Sequence, residues 1–490
     1  MRERGPACGC RDATSPTPDD GARVFEWEPS LPPGPVPHAR GARGAVSASV
    51  RAVALKTLLS GPEEGELRRA ASRLPERDRG LLIELVRGVL RRRTTLDHVL
   101  AEFARARRLA PRTHLVLILG IYQLLYLGRV PAHAAVNGSV ELVRGRRTRG
   151  FVNAVLRAVE RAARPVEGVE AEGRAADLLR TAPGAGFLFD RPLFPDPKGE
   201  PVAWLAVQES FTEEAARLFI DEFGPDRGAT LLRAANLSPV LTLRETAGSA
   251  APFPSLLAGE GLRVEPVEGH PEPMYRLVGG GDPVRTELFR AGRFTLQGLH
   301  AARVVPLLQP SPGETAIDLC AAPGGKTAQL AERLAGGRVL ACTLDERGRH
   351  RLEGTLRRLG CENARIVEVA PEGPVPELPN ATMLLLDVPC SNSGVLSRRP
   401  EARQRLNPSS LASLQDLQRS LLERGLDWLA ERPRDARLVY STCSIFRREN
   451  GDLVRAALEA RPGFRVDAEI QSLPAEAWSD GGYAARIRRR

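Results

Sequence analysis

Lysine is nearly missing from this chain: Lys56, Lys198 and Lys326 are the only three among 70 basic residues in 490. Arginine is therefore the default base, which weakens what the net charge of +10 and the sequence pI of about 9.7 say about a polyanionic partner. Nucleic-acid binding and a plain compositional bias toward arginine both remain open on charge alone. By the same comparison, a lysine that persists inside a glycine-rich turn, as Lys326 does, gains weight.

No run of about 18 or more uncharged apolar residues is present, so no membrane-spanning helix and no membrane partner are expected. The start, M-R-E-R-G-P-A-C-G-C, has no apolar h-region, and a cytoplasmic location is the expectation. Seven scattered cysteines, an odd number, make no disulfide framework and suit a reducing compartment. Cys8 and Cys10 form a C-x-C without a second half; structural zinc takes four ligands, so no metal site is expected. Internal repeats are absent.

At this length several domains are expected. Residues 1–47, rich in Pro, Gly, Arg and Asp, read as a flexible tail. From 48 to 164 the apolar spacing is helical: Leu81, Leu82, Leu85, Val86, Val89 and Leu90 fall on one face, and Leu115 to Leu125 continue as a largely buried helix stopped by Pro131. Strand signals are lacking there, which predicts an all-α bundle. Residues 165–201, dense in Pro, Gly and acid, read as a linker. A helix at 211–220 and short strands at 240–245 and 274–278 predict a small α/β module over 202–295. Apolar strands alternating with helices over 296–490 predict a doubly wound parallel sheet.

The chemistry-bearing segments lie in that last part. E-T-A-I-D-L-C-A-A-P-G-G-K-T (314–327) reads as a strand, a small-residue turn and the start of a helix, whose free N–H groups suit a nucleotide-type ligand. It matches neither G-x-x-x-x-G-K-[ST] nor G-x-G-x-x-G, so the usual phosphate sites are not favoured. Downstream, L-L-L-D-V-P-C-S (384–391) and L-V-Y-S-T-C-S (438–444) deliver Cys390 and Cys443 to strand ends. Two thiols behind a cofactor loop suit an attack on a pyrimidine ring through sulfur. Cys320, Cys342 and Cys361 read as small apolar side chains.

These motifs resemble those of the Sun/Fmu family of RNA cytosine-C5 methyltransferases, through A-A-P-G-G-K-T, D-V-P-C-S-N-S-G-V-L (387–396) and Y-S-T-C-S (440–444). L-I-E-L-V-R-G-V-L-R (82–91), L-G-I-Y-Q-L-L-Y (119–126), V-P-A-H-A-A-V-N (130–137) and G-F-V-N-A-V-L-R (150–157) resemble a NusB-like RNA-binding domain. With D-G-G-Y-A-A-R-I (480–487), they make the chain similar to the bacterial branch that acts on 16S rRNA. The resemblance implies a multidomain protein: an all-α NusB-like bundle, a small α/β module and a C-terminal α/β Rossmann-like methyltransferase domain. It implies S-adenosylmethionine as cofactor, held by Cys320, Ala321, Ala322, Pro323, Gly324, Gly325, Lys326, Asp345 and Asp387. It makes Cys443 the nucleophile and Cys390 the residue that assists release, with Asp387 and Lys326 in support; the residues alone leave open which thiol attacks. The expected partner is 16S rRNA bound by a monomer. DNA is not expected, since the helical domain and the Thr-Cys motif have no evident use there.

Four places depart from the family pattern. Thr343 stands where an acid normally ends the second strand, and Ala370 where another follows the third, with Asp345 and Glu372 as nearby carboxylates. I-F-R-R-E-N (445–450) replaces a proline- and acid-rich stretch, and Gln297-Gly298 replaces Gln-Asp. The alternative these allow is a catalytically impaired homologue that acts as an rRNA-binding or ribosome-assembly protein.

Overall fold

The computed structural model describes residues 48–61, 64–104, 109–169, 175–246, 251–370, 372–475 and 479–490. The expected tail at 1–47, with Cys8 and Cys10, lies outside them. Among the described residues no helix is long and apolar enough to cross a membrane.

Helices come first: α1 (Ala48–Ser60), α2 (Glu64–Ser72), α3 (Glu76–Arg91), α4 (Arg93–Ala104), α5 (Pro111–Tyr126), α6 (Ala132–Val140) and α7 (Arg146–Ala162). The three-and-four spacing read from the sequence is what α3 buries, through Leu82, Leu85, Val86 and Val89. Helix α5 is buried nearly all round, from Leu115 to Leu125, and forms the bundle's centre. Pro111 starts it at a position where a missing N–H costs nothing.

The expected linker is a sheet. β1 (Ala163–Val169), β2 (Leu178–Ala182) and β3 (Gly184–Phe189) pair antiparallel in the order β1-β3-β2. Pro165 lies on an edge strand, where no ladder donor is needed, and Gly184 turns β2 into β3 at φ +73°. The Pro and Gly density that suggested a loop thus marks an edge and a turn. Leu179 and Phe189 bury against the helical bundle.

The next stretch divides between two cores. α8 (Pro201–Glu209), α9 (Glu213–Phe223) and α10 (Pro225–Ala234), with Phe211 in the turn between α8 and α9, add Trp204, Phe211, Phe219 and Leu232 to the core of the bundle. β4 (Thr242–Glu245), α11 (Phe253–Gly259), β5 (Arg263–Pro266), β6 (Met274–Gly279), α12 (Glu287–Arg290) and β7 (Phe294–Leu296) follow, and the strands pair in the order β5-β6-β4-β7. Leu243, Phe253, Leu257, Leu262 and Phe294 form their separate core.

The remaining elements are α13 (Leu299–Leu307), β8 (Thr315–Asp318), α14 (Gly325–Arg333), β9 (Arg338–Thr343), α15 (Glu346–Arg358), β10 (Ala364–Glu368), β11 (Ala381–Asp387), α16 (Pro408–Ala430), β12 (Arg437–Thr442), α17 (Gly451–Glu459), β13 (Phe464–Ser472) and β14 (Gly482–Arg489). Their sheet runs β10-β9-β8-β11-β12-β14-β13, parallel from β10 to β12 and antiparallel across β14 and β13. Helices cover both faces, so β12 is buried at every position, as a central parallel strand must be. The chain runs outward through β8, β9 and β10, then returns to place β11 beside β8. That reversal opens a crevice at the carboxyl ends of β8 and β11, where ligands of such sheets bind.

The bundle and the large sheet share packing. Leu396, Ala402, Leu406, Leu411, Ile445 and Phe446 belong to the same apolar core as α3 and α9. The guanidinium of Arg403, fully buried over the Phe211 ring, donates to the carbonyls of Arg91 (2.8 Å), Glu209 (3.4 Å) and Ala235 and to Asn236 Oδ1 (2.8 Å).

Candidate active site

The glycine loop leaves β8 at Asp318 and enters α14 at Gly325. Gly324 has φ +107°, and a Cβ there would stand 2.8 Å from Leu352 Cδ1, so only glycine fits. Gly325 has open space where its side chain would be. The Thr327 hydroxyl reaches back to Asp318 Oδ2 at 2.7 Å and closes the turn. Burial pushes the Asp318 carboxyl up to about 7; the Thr327 hydrogen bond opposes this and the Asp387 charge adds to it.

Lys326 projects from the first turn of α14 to Asp387 at the end of β11, with Nζ 2.7 Å from Oδ2. Burial works against the ammonium, but the Asp387 carboxylate outweighs it and holds Lys326 above its ordinary value. The other oxygen, Oδ1, accepts from Ser441 Oγ at 2.8 Å. Ser441 is the register partner of Asp387 on β12, two residues before Cys443. Glycine loop, β11 and β12 are thus tied in one line at the carboxyl edge.

Both thiols stand at that edge. Cys390 Sγ and Cys443 Sγ are 3.2 Å apart, and Cys443 Sγ is 3.3 Å from Asn392 Oδ1. Asn392 takes φ +59° and donates back to the Cys390 carbonyl at 3.0 Å. The Cys390 thiol is held well above its usual range by the Cys443 sulfur, by burial and by the charge of Glu449. At neutral pH Cys390 is therefore a protonated thiol. Burial pushes Cys342 up to about 12 and Cys361 up to about 11, and Cys320 is raised as well, so these three stay protonated.

Behind the thiols lies a polar cluster that sequence reading did not find. Glu449 is fully buried; Oε1 accepts from the Ser391 amide (2.9 Å) and Gln418 Nε2 (2.9 Å), and Oε2 from the hydroxyls of Ser391 (2.6 Å) and Ser444. Gln418 Nε2 also reaches the Pro389 carbonyl at 2.9 Å, and Ser393 Oγ accepts from the Ile445 amide at 2.9 Å. The signal in the sequence was a lone acid in R-R-E-N, which reads as a surface charge.

The departures from the family pattern have local explanations. Thr343 is buried at the end of β9, and a Cβ on Gly348 would stand 2.4 Å from its Oγ1, so the first turn of α15 closes over it. Asp345 caps α15, its Oδ1 accepting from the Gly348 amide at 2.5 Å. Ala370 and Glu372 are exposed in a turn after β10. Glu368, the register partner of Thr343 on β10, adds a carboxylate at the end of that strand, 3.3 Å from Arg349. At Gly298 a Cβ would fall 1.7 Å from Asp480 Oδ2. Asp480, paired with Arg398 at 3.1 Å, thus places an acid from the distant D-G-G-Y segment where residue 298 lacks one. Phe446 packs edge-on against Phe219 of α9, ring centroids 5.2 Å apart, and anchors the loop after Cys443.

Residues 305–482 match the family model described as 16S rRNA methyltransferase RsmB/F, and residues 48–161 that of the NusB family. The chain is similar to the probable ribosomal RNA small subunit methyltransferase B of Bacillus subtilis (strain 168), with 30% identity over 410 residues, covering 82% of this chain and 84% of that one. It is also similar to the ribosomal RNA small subunit methyltransferase B of Vibrio cholerae serotype O1, with 30% identity over 438 residues, covering 85% and 91%. In fold it is similar to the crystal structure of PH0851, with a TM-score of 0.71 at 20% identity, covering 91% of this chain and 98% of that chain.

Proposed function

The chain belongs to the 16S rRNA methyltransferase RsmB/F family, and from that premise we propose that it transfers a methyl group from S-adenosylmethionine to C5 of a cytosine in 16S rRNA, in the cytoplasm, through a covalent adduct of Cys443 at C6. The observation that carries this reading is the 3.2 Å approach of Cys390 and Cys443 beside the Lys326–Asp387 pair.

The residues present fit the methyl donor. Gly325 leaves room for close approach, the first turn of α14, with no side-chain cap among the described residues, presents its N–H groups, and Asp345 and Glu368 hold carboxylates at the ends of β9 and β10. Lys326 and Asp387 complete the cradle from the side of β11. When bound, S-adenosylmethionine supplies an electrophilic methyl on a sulfonium. Everything else is the work of the protein. C5 of cytosine is a poor nucleophile until the Cys443 thiolate bonds to C6 and shifts the ring electrons to C5. Asp387, fixed through both oxygens, is placed to hydrogen-bond the ring edge and favour that addition. Once C5 is methylated, a base takes the C5 proton, the C5–C6 double bond re-forms and the S–C6 bond breaks. Cys390, held as a thiol next to the leaving sulfur, assists that release.

The target base must stand out of its stack, which the NusB-like bundle supports by holding the RNA. Bisulfite mapping of 16S rRNA from a deletion strain tests the proposal: one cytosine loses its protection from conversion and regains it on complementation. Full retention of every 5-methylcytosine would leave the non-catalytic reading, for which Thr343 and Ala370 speak.

A further inference from the structure

We propose that Glu449 is a positioning residue that fixes the two thiols against each other, holding the Cys390 loop with one set of hydrogen bonds and the Cys443 loop with another. The role rests on the two-thiol reading above. Ser391, directly after Cys390, gives its amide and its hydroxyl to Glu449, and Ser444, directly after Cys443, gives its hydroxyl. Gln418 adds a contact from α16 and also pins the Pro389 carbonyl, so the carboxylate is braced from a rigid helix.

The chemistry of the site selects a carboxylate. A fully buried charge is tolerated only when its lone pairs are filled, and here all the partners found among the described residues are neutral donors. Four donors converge on two oxygens; an amide could keep the Ser391 amide and Gln418 on its oxygen, but its NH2 would turn both serine hydroxyls from donors into acceptors and so rearrange the links to both loops. A plain loop link would not need a charge. Its second effect is electrostatic: the same negative charge favours the protonated Cys390 thiol, which can give its proton to the Cys443 sulfur as the S–C6 bond breaks. Cys443 instead shares its surroundings with the Lys326 ammonium. The pair is therefore unequal in its environment, although the two strand ends that carry it are alike.

The test uses the full chain with Glu449→Gln and, as a milder variant, Ser444→Ala, each checked for folding by thermal melting. Diamide converts two adjacent thiols to a disulfide by taking up two protons and two electrons, and peptide mapping then follows the Cys390–Cys443 cross-link. The expectation for Glu449→Gln is cross-linking slowed about tenfold, kcat lowered about tenfold or more, and KM for RNA within about twofold, because the thiols meet only the reacting ring. Ser444→Ala should move the same readouts about threefold, and it decides the matter if Glu449→Gln does not fold. Unchanged cross-linking and unchanged kcat in a folded variant would overturn the proposal, as would a wild-type chain whose two thiols do not cross-link. The cross-linking rate needs no methyl transfer, so it still judges Glu449 if the proposed activity itself fails.

Discussion

Asp480 Oδ2 occupies the space that a side chain at Gly298 would take, 1.7 Å from the position of its Cβ. The two residues are 182 apart in sequence, yet the acid missing at one is present at the other. Asp480 pairs with Arg398 and accepts from the Leu299 amide at the start of α13, so the swap keeps a carboxylate at one end of the sheet. Gly298→Ala should cost about 2–3 kcal/mol by forcing that carboxylate out. In an Asp480→Ala background the same change should cost less than about 1 kcal/mol. Denaturant melts of the four proteins measure the coupling.

Lys326→Met removes the partner of Asp387 and leaves one carboxylate oxygen without its ion pair. Single-turnover methyl transfer should slow about 10- to 100-fold, the equivalent of losing one charged hydrogen bond of about 1.5–3 kcal/mol. Lys326→Arg should recover little, because a planar guanidinium does not replace a compact ammonium at one oxygen.

The two cysteines should fail differently. Cys390→Ala keeps the proposed nucleophile and should accumulate a covalent protein–RNA adduct, seen as a retarded band in denaturing gels. Cys443→Ala should form no adduct, and the reverse pattern would exchange the two roles.

Asp318 gives the fold a pH dependence with a definite sign. Its folded carboxyl titrates near 7 against an ordinary value of 3.8, so the native state holds the proton more tightly than the unfolded chain. Its contribution is fully present below about 3.8 and is lost as pH rises through about 7, a span worth on the order of 4 kcal/mol. Asp318→Asn keeps an acceptor for Thr327 and cannot ionise. Its stability relative to wild type should therefore rise between about pH 4 and 7 in urea melts, and a flat difference would contradict the assignment.

The parts that were legible in the sequence are those in which local pattern and tertiary role coincide. The three-and-four spacing of α3, the apolar runs of β11 and β12, and the small-residue turn before Lys326 each record their own environment. Lys326 and Asp387 each stand out because both motifs end on one sheet edge, where the structure joins them in an ion pair. The sheet β1-β3-β2 was hidden because Pro165 and Gly184 are loop signals that an edge strand and a tight turn also use. Helices α8 to α10 carry no local mark of which core they join. Glu449 was hidden for another reason: its four donors come from three separate segments, and nothing near R-R-E-N hints at burial.

Phe446 and Leu396 lie in the apolar core that begins at α1, and Arg403 spends its guanidinium on carbonyls of α3, α8 and the end of α10. Cutting the chain at the start of the methyltransferase family match would therefore strip solvent protection from the loop that carries Cys443 and leave a buried cation without acceptors. A shortened catalytic fragment should be insoluble on expression, and the bundle should be kept covalently attached in any engineered version of the enzyme.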